Sequence, residues 1–167
     1  MIENMENGRT IHLGSIYLVV RDFAKSIDFY EKLLQMPVSG KNMERFAMFE
    51  FDGQCISIMN GLFDAENPGK TIIKDGKDSE TAQKMEADSL AVIANAPNTH
   101  KFVLNFWADD LRAEHARIAE LGIGTNLNNV SYLFNTTPYY SFQLHDPDDN
   151  IIEICGAYTP EEGEFDE

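Results

Sequence analysis

The sequence predicts an α+β fold built from one module used twice, a strand followed by a helix and then a hairpin. Two observations lead there. In "SIYLVVRDFAKSIDFYEKLL", from Ser15, apolar residues alternate and then switch to helical spacing. The stretch "VLNFWADDLRAEHARIAELGIG", from Val103, repeats that plan, and setting Asp22 against Asp110 fixes an offset of 88 residues. Two long copies argue for a duplicated module rather than a solenoid, which needs more and shorter repeats.

The elements follow in order. Ile16, Leu18 and Val20 alternate with Ser15, Tyr17 and Val19, the pattern of a strand with one packed face. Asp22 can accept from the free N–H groups of a helix start. Phe23, Ile27, Tyr30 and Leu34 then recur at helical spacing until Met36-Pro37. "RFAMFEF", the turn Asp52-Gly53 and "QCISIM" read as a hairpin. In the second copy a strand over about 102–107 leads to Asp110 as the cap. Leu111, Ile118 and Leu121 form the expected buried stripe, and Gly122 stops the helix. "YYSFQLH", a turn at Asp146–Asn150 and "IIEIC" make the closing hairpin. Between the copies, a stretch rich in Gly, Pro, Asp and Lys holds one helix near Glu80–Ile93. It is long for a connector, so a lid or a docking linker is expected. The expected organisation is a flexible tail over 1–10, modules over 11–64 and 101–157, the linker over 65–100 and an acidic tail over 158–167. Both tails are expected to be unstructured.

At 167 residues with 43% hydrophobic content, one globular domain with a real core is the default. Thirteen Lys and Arg face 28 Asp and Glu, for a net charge of −15. That balance repels nucleic acid and anionic membrane surfaces, so neither is an expected partner. No basic region followed by an apolar core opens the chain, and no apolar run is long enough to span a bilayer. Cys55 and Cys155 have no CxxC spacing and are too few for a disulfide framework. A cytoplasmic protein is expected.

"VVRDFAKSIDFYEKLL" and "DPDDNIIEI" together resemble the two signatures of the vicinal oxygen chelate superfamily. That superfamily holds glyoxalase I, bleomycin-resistance proteins, fosfomycin-resistance transferases and extradiol dioxygenases. The resemblance implies paired βαβββ modules forming an eight-stranded open cup with helices outside. It also implies four metal-ligand positions, which fall here on Ser15, Ser57, Val103 and Glu153. Only Glu153 can ligate, and one ligand does not hold a catalytic divalent ion. His12 and His100 each lie three residues early, on the opposite face of a strand. Asp149 stands where the family usually has Gly. No metal and no cofactor are therefore expected.

The remaining candidates come from strand faces. Glu153 lies among isoleucines, either solvated or anchoring a ligand inside the cup. If it is enclosed, its pKa is expected to rise unless Tyr17, Asn105 or Ser15 donates to it. Tyr17, Asn105 and Trp107 share the faces of Ser15 and Val103, where they either fill space or stack on and orient a ligand. Gln143 and Ser141 share a face with His145, which is either a local hydrogen-bonding residue or an acid–base group. The expected function is binding of a small organic molecule in the cup, as in the bleomycin-resistance branch. The alternatives are a glyoxalase-like lyase or isomerase using Glu153 and His145, or a non-catalytic regulatory module. The resemblance also implies a homodimer, since relatives pair modules between chains to complete or shield their cups.

Overall fold

The structure, a computed structural model, describes residues 13–72, 79–134 and 137–165. The first module runs β1 (Ile16–Val20), α1 (Phe23–Leu34), β2 (Gly40–Asn42), β3 (Phe46–Phe51) and β4 (Gln54–Asn60). Next come α2 (Phe63–Glu66) and α3 (Ser79–Asn95). The second module runs β5 (Val103–Ala108), α4 (Leu111–Leu121), β6 (Ser131–Phe134), β7 (Pro138–His145) and β8 (Ile151–Gly156).

The duplication read from the sequence is repeated in the topology. The strand orders are β1-β4-β3-β2 and β5-β8-β7-β6. In each sheet the first strand pairs parallel with the last, and the hairpins are antiparallel. Two sheets of four with helices form an α+β fold, and among the described residues β1 and β2 are the edge strands of one sheet and β5 and β6 of the other. Both helices start as their sequences demand: the Asp22 carboxylate accepts from Lys25 N and that of Asp110 from Ala113 N, each at 3.0 Å. Gly122 ends α4 at φ +61°, a left-handed position that costs glycine little.

One core serves both modules. Leu18, Val20, Phe49 and Ile58 of the first sheet cluster with Leu104, Phe142, Leu144, Ile152 and Ile154 of the second, and with α1 and α4. The helix stripes match expectation in part: Phe23 and Tyr30 of α1 and Leu111 and Ile118 of α4 are buried. Phe29 and Leu33 are buried in α1, while Ile27 and Leu34 are only partly covered; in α4, Leu121 is exposed. The cause is that these helices meet each other as well as their own sheets: the Arg117 guanidinium of α4 donates to the Lys32 and Leu33 carbonyls at the end of α1.

The turn between β7 and β8 locks the modules together. Asp146 is only 2% exposed, and its carboxylate accepts from Asp148 N, Asn150 N, Asn150 Nδ2 and the Tyr30 hydroxyl of α1, the last at 2.6 Å. Asp148 accepts from Arg21 N and Ser26 Oγ. Burial pushes the Tyr30 hydroxyl well above its ordinary pKa, and the Asp146 charge adds to it.

The middle segment packs on the first module. A Cβ on Gly61 would lie 2.5 Å from Ala94 Cβ and 2.8 Å from Val19 Cγ1, so α3 sits tightly at the ends of β1 and β4. Asp64 of α2 pairs with Arg45 at 2.9 Å and accepts from Thr71 Oγ1.

The C-terminal segment differs from expectation. Tyr158 and Phe165 join Tyr132 and Tyr140 in an aromatic cluster, and Arg112 stacks over Tyr158 while pairing with Glu164. Aromatic area and one cation are enough to dock this acidic stretch up to residue 165. The N-terminal tail over 1–10, with His12, lies outside the described residues.

Candidate functional site

Strand alternation turns Ile152 and Ile154 into the core and leaves Glu153 on the opposite face of β8. Register does the rest. Asn105 of β5 and Gln143 of β7 flank Glu153 directly, one from each neighbouring strand. Tyr139 lies four residues before Gln143, on the same face of β7.

These neighbours hold the carboxylate. Glu153 Oε1 accepts from Asn105 Nδ2 at 2.8 Å and from the Tyr139 hydroxyl at 2.7 Å. Its Oε2 accepts from Gln143 Nε2 at 2.9 Å. A carboxylate offers about four acceptor positions, so one on Oε2 is left over among the described residues. Burial raises the Glu153 pKa, but the donations from Gln143, Tyr139 and Asn105 outweigh it and leave the group below its ordinary value. The same contact works in reverse on Tyr139, whose pKa is raised by burial and by the neighbouring carboxylate. The site is therefore an ionised, fully oriented carboxylate.

The expected donors to Glu153 are corrected in part. Asn105 donates, but Tyr17 and Ser15 do not, because they sit on β1 and just before it, in the other sheet. Tyr139 and Gln143 take their places. Trp107 lies two residues from Asn105 on the same face of β5 and is 68% exposed, and Tyr17 is 56% exposed. Neither is core filling. Ser57, paired across from Tyr17, is buried, with its Oγ 3.4 Å from Cys55 Sγ. Ser15 is half-buried. Both cysteines are free.

His145 belongs to a separate cluster. Its Nδ1 lies 2.5 Å from Asp149 Oδ1 and 3.2 Å from Asn126 Nδ2. The other Asp149 oxygen lies 2.7 Å from His100 Nε2. Asp149 sits at φ +65° and His100 at φ +55°. Hydrogen bonding to His145, and then to His100, holds the Asp149 carboxyl below its ordinary pKa. His145 is thus engaged away from Glu153. Sequence reading missed this grouping and missed Tyr139. Alternation along β7 was enough to place Tyr139 with Gln143, whereas no spacing rule joins His100 to Asp149.

Paired βαβββ modules with a polar residue centred on each last strand, Ser57 and Glu153, define a glyoxalase-like α+β protein. The chain matches the Glyoxalase/Bleomycin resistance protein/Dioxygenase superfamily over residues 12–154 and belongs to it. No curated protein matches the chain. Among solved structures it resembles a glyoxalase-related enzyme from Fulvimarina pelagi at 14% identity and TM-score 0.57, covering 87% of this chain and 88% of that one. A protein from the mobile metagenome of V. Pseudocholerae is 21% identical with TM-score 0.56, covering 90% and 98%. The lactoylglutathione lyase of Agrobacterium tumefaciens is 15% identical with TM-score 0.54, covering 89% and 95%. At these identities the likeness is one of fold.

The ion used by metal-dependent members of the family does not fit here. Val103 stands opposite Ile151, Ser57 is buried beside Cys55, and Glu153 already spends three acceptor positions on neutral donors. Among the described residues, no helix is long and apolar enough to cross a membrane.

Proposed function

We propose that this protein binds a small organic molecule carrying a cationic or hydroxyl donor, on the open face around Glu153, without an ion in the family's usual positions. The single observation that carries this reading is the Glu153 carboxylate itself. It is oriented by three neutral donors, kept ionised, and left with one free acceptor position. Trp107 and Tyr139, both exposed on the same face, supply aromatic area for the rest of the ligand. A net charge of −15 raises the local concentration of cations and favours a positively charged ligand.

The lyase or isomerase alternative is disfavoured by the same group. A general base works best with a pKa near the operating pH, whereas Glu153 is moved the other way. His145, its expected partner in acid–base work, hydrogen-bonds to Asp149 instead.

The reading includes a homodimer. Val103, Trp107, Leu133 and Tyr139 leave a broad apolar face exposed, and among the described residues β1 and β5 end their sheets as edge strands. A second copy facing this surface is the economical way to shield it, with the ligand around Glu153 held between the two copies. A cytoplasmic location is part of the same proposal. A thermal-shift screen of aromatic amines against neutral and carboxylated analogues of the same size tests it. Stabilisation confined to the amines or alcohols supports the reading, and stabilisation by carboxylates alone refutes it.

A further inference from the structure

Two segments far apart in the chain, the stretch before β5 and the end of β7 with its following turn, bring metal-ligating atoms to one point at the rim of the second sheet. His145 is the last residue of β7, Asp149 lies in the β7–β8 turn, and His100 precedes β5. One ligand atom from each lies within 4.8 Å of the other two. Two of the four histidines in the chain thus converge on a single carboxylate. These are not the family's ligand positions, which fall on Ser15, Ser57, Val103 and Glu153.

We propose that His100 Nε2, His145 Nδ1 and the Asp149 carboxylate form a solvent-open site for a divalent transition-metal ion. Two imidazoles and one carboxylate suit Zn²⁺ and its late first-row neighbours rather than Mg²⁺ or Ca²⁺, which take all-oxygen ligand sets. Tetrahedral Zn²⁺ has ligand bonds of about 2.0–2.1 Å, so its ligand atoms stand roughly 3.3 Å apart. The present contacts are 2.5 Å and 2.7 Å. Side-chain rotations that open each by under about an ångström and bring the two imidazole nitrogens to a similar spacing around one Asp149 oxygen would admit the ion in exchange for two hydrogen bonds.

The segments are positioned without help from the His–Asp contacts. Asn98 Nδ2 donates to Asn150 Oδ1 at 2.7 Å and to the Asp148 carbonyl at 3.3 Å, tying the stretch before β5 to the turn. Asn98 Oδ1 then accepts from His100 N at 2.9 Å. Thr125 and His145 exchange backbone hydrogen bonds, at 3.0 Å and 2.7 Å, which fixes the end of β7. The ligands are therefore presented by a preformed frame. The side chains of His100, His145 and Asp149 are 39%, 17% and 54% exposed, so an ion enters from solvent and water completes its coordination.

The site does not depend on ligand binding at Glu153. The test uses the full chain, stripped with a chelator and titrated with Zn²⁺ against a chromophoric competitor, and with Co²⁺ followed by its visible spectrum. One equivalent of Zn²⁺ and a Co²⁺ spectrum of nitrogen–oxygen ligation are expected. Asp149→Gly removes a ligand while suiting φ +65°, His100→Ala removes another, and each should weaken Zn²⁺ binding at least tenfold. Glu153→Ala should leave binding unchanged. Absence of stoichiometric Zn²⁺ uptake by the folded wild type, uptake unaltered in both rim variants, or uptake abolished by Glu153→Ala overturns the assignment.

Discussion

Glu153→Gln is the sharpest perturbation of the site because it removes the charge and keeps the shape. The amide oxygen can still accept from Asn105 and Tyr139, as Oε1 does now. The amide nitrogen would face Gln143 Nε2, donor against donor. Gln143 is only partly buried, so rotating its own amide, or admitting water, relieves the clash. The fold should survive with a loss within about 1 kcal/mol, as for a partly exposed substitution. Ligand binding should suffer more. A hydrogen bond to a charged acceptor contributes about 1.5–3 kcal/mol, which is roughly a 10- to 150-fold rise in Kd. Calorimetry with an aromatic amine found by the screen, on wild type and variant, measures both the affinity and the enthalpy of the contact. Equal affinity in the two proteins, with the wild-type site still occupied, would refute the reasoning and reduce Glu153 to a surface hydrogen-bonding residue.

Because its folded-state pKa lies below the unfolded value, Glu153 stabilises the fold above about pH 4.3, and this is lost as pH falls through the folded pKa. The stability gap between wild type and Glu153→Gln in urea should therefore shrink from about pH 6 to about pH 3; a gap that widens refutes the donor argument. Tyr139→Phe removes one of the three donors and should move the Glu153 pKa upward, as read by NMR titration of the side-chain carboxyl. Tyr30→Phe takes the hydroxyl from buried Asp146 and should cost about 1.5–3 kcal/mol in chemical unfolding, with less than about 0.5 kcal/mol showing that the turn holds the modules without it. Sedimentation should give a mass near twice 18.9 kDa, and Trp107→Glu should favour the monomer; a wild-type monomer at micromolar concentration contradicts the dimer.

Local physics made much of the fold readable in the chain. Period-2 and period-3.6 patterns, Asp22 and Asp110 as caps, and Gly122 as a stop all act within a few residues, so neighbours in sequence decide them. Alternation likewise set Asn105, Trp107, Gln143 and Glu153 on faces away from the core. Short strands β2 and β6 carry too few residues to show a period. The burial of Phe29 and Leu33 and the exposure of Leu121 were hidden for another reason: each helix meets two partners, and the sequence shows only that apolar residues recur. The sign of the Glu153 pKa shift was equally out of reach. Burial alone raises it, and the decision rests on Tyr139, Gln143 and Asn105 arriving from adjacent strands within hydrogen-bond distance. The convergence of His100 on Asp149, 49 residues away, depends on where Asn98 ties its segment to the turn. Such contacts are set by the packing of whole modules, and no periodicity in the chain records them.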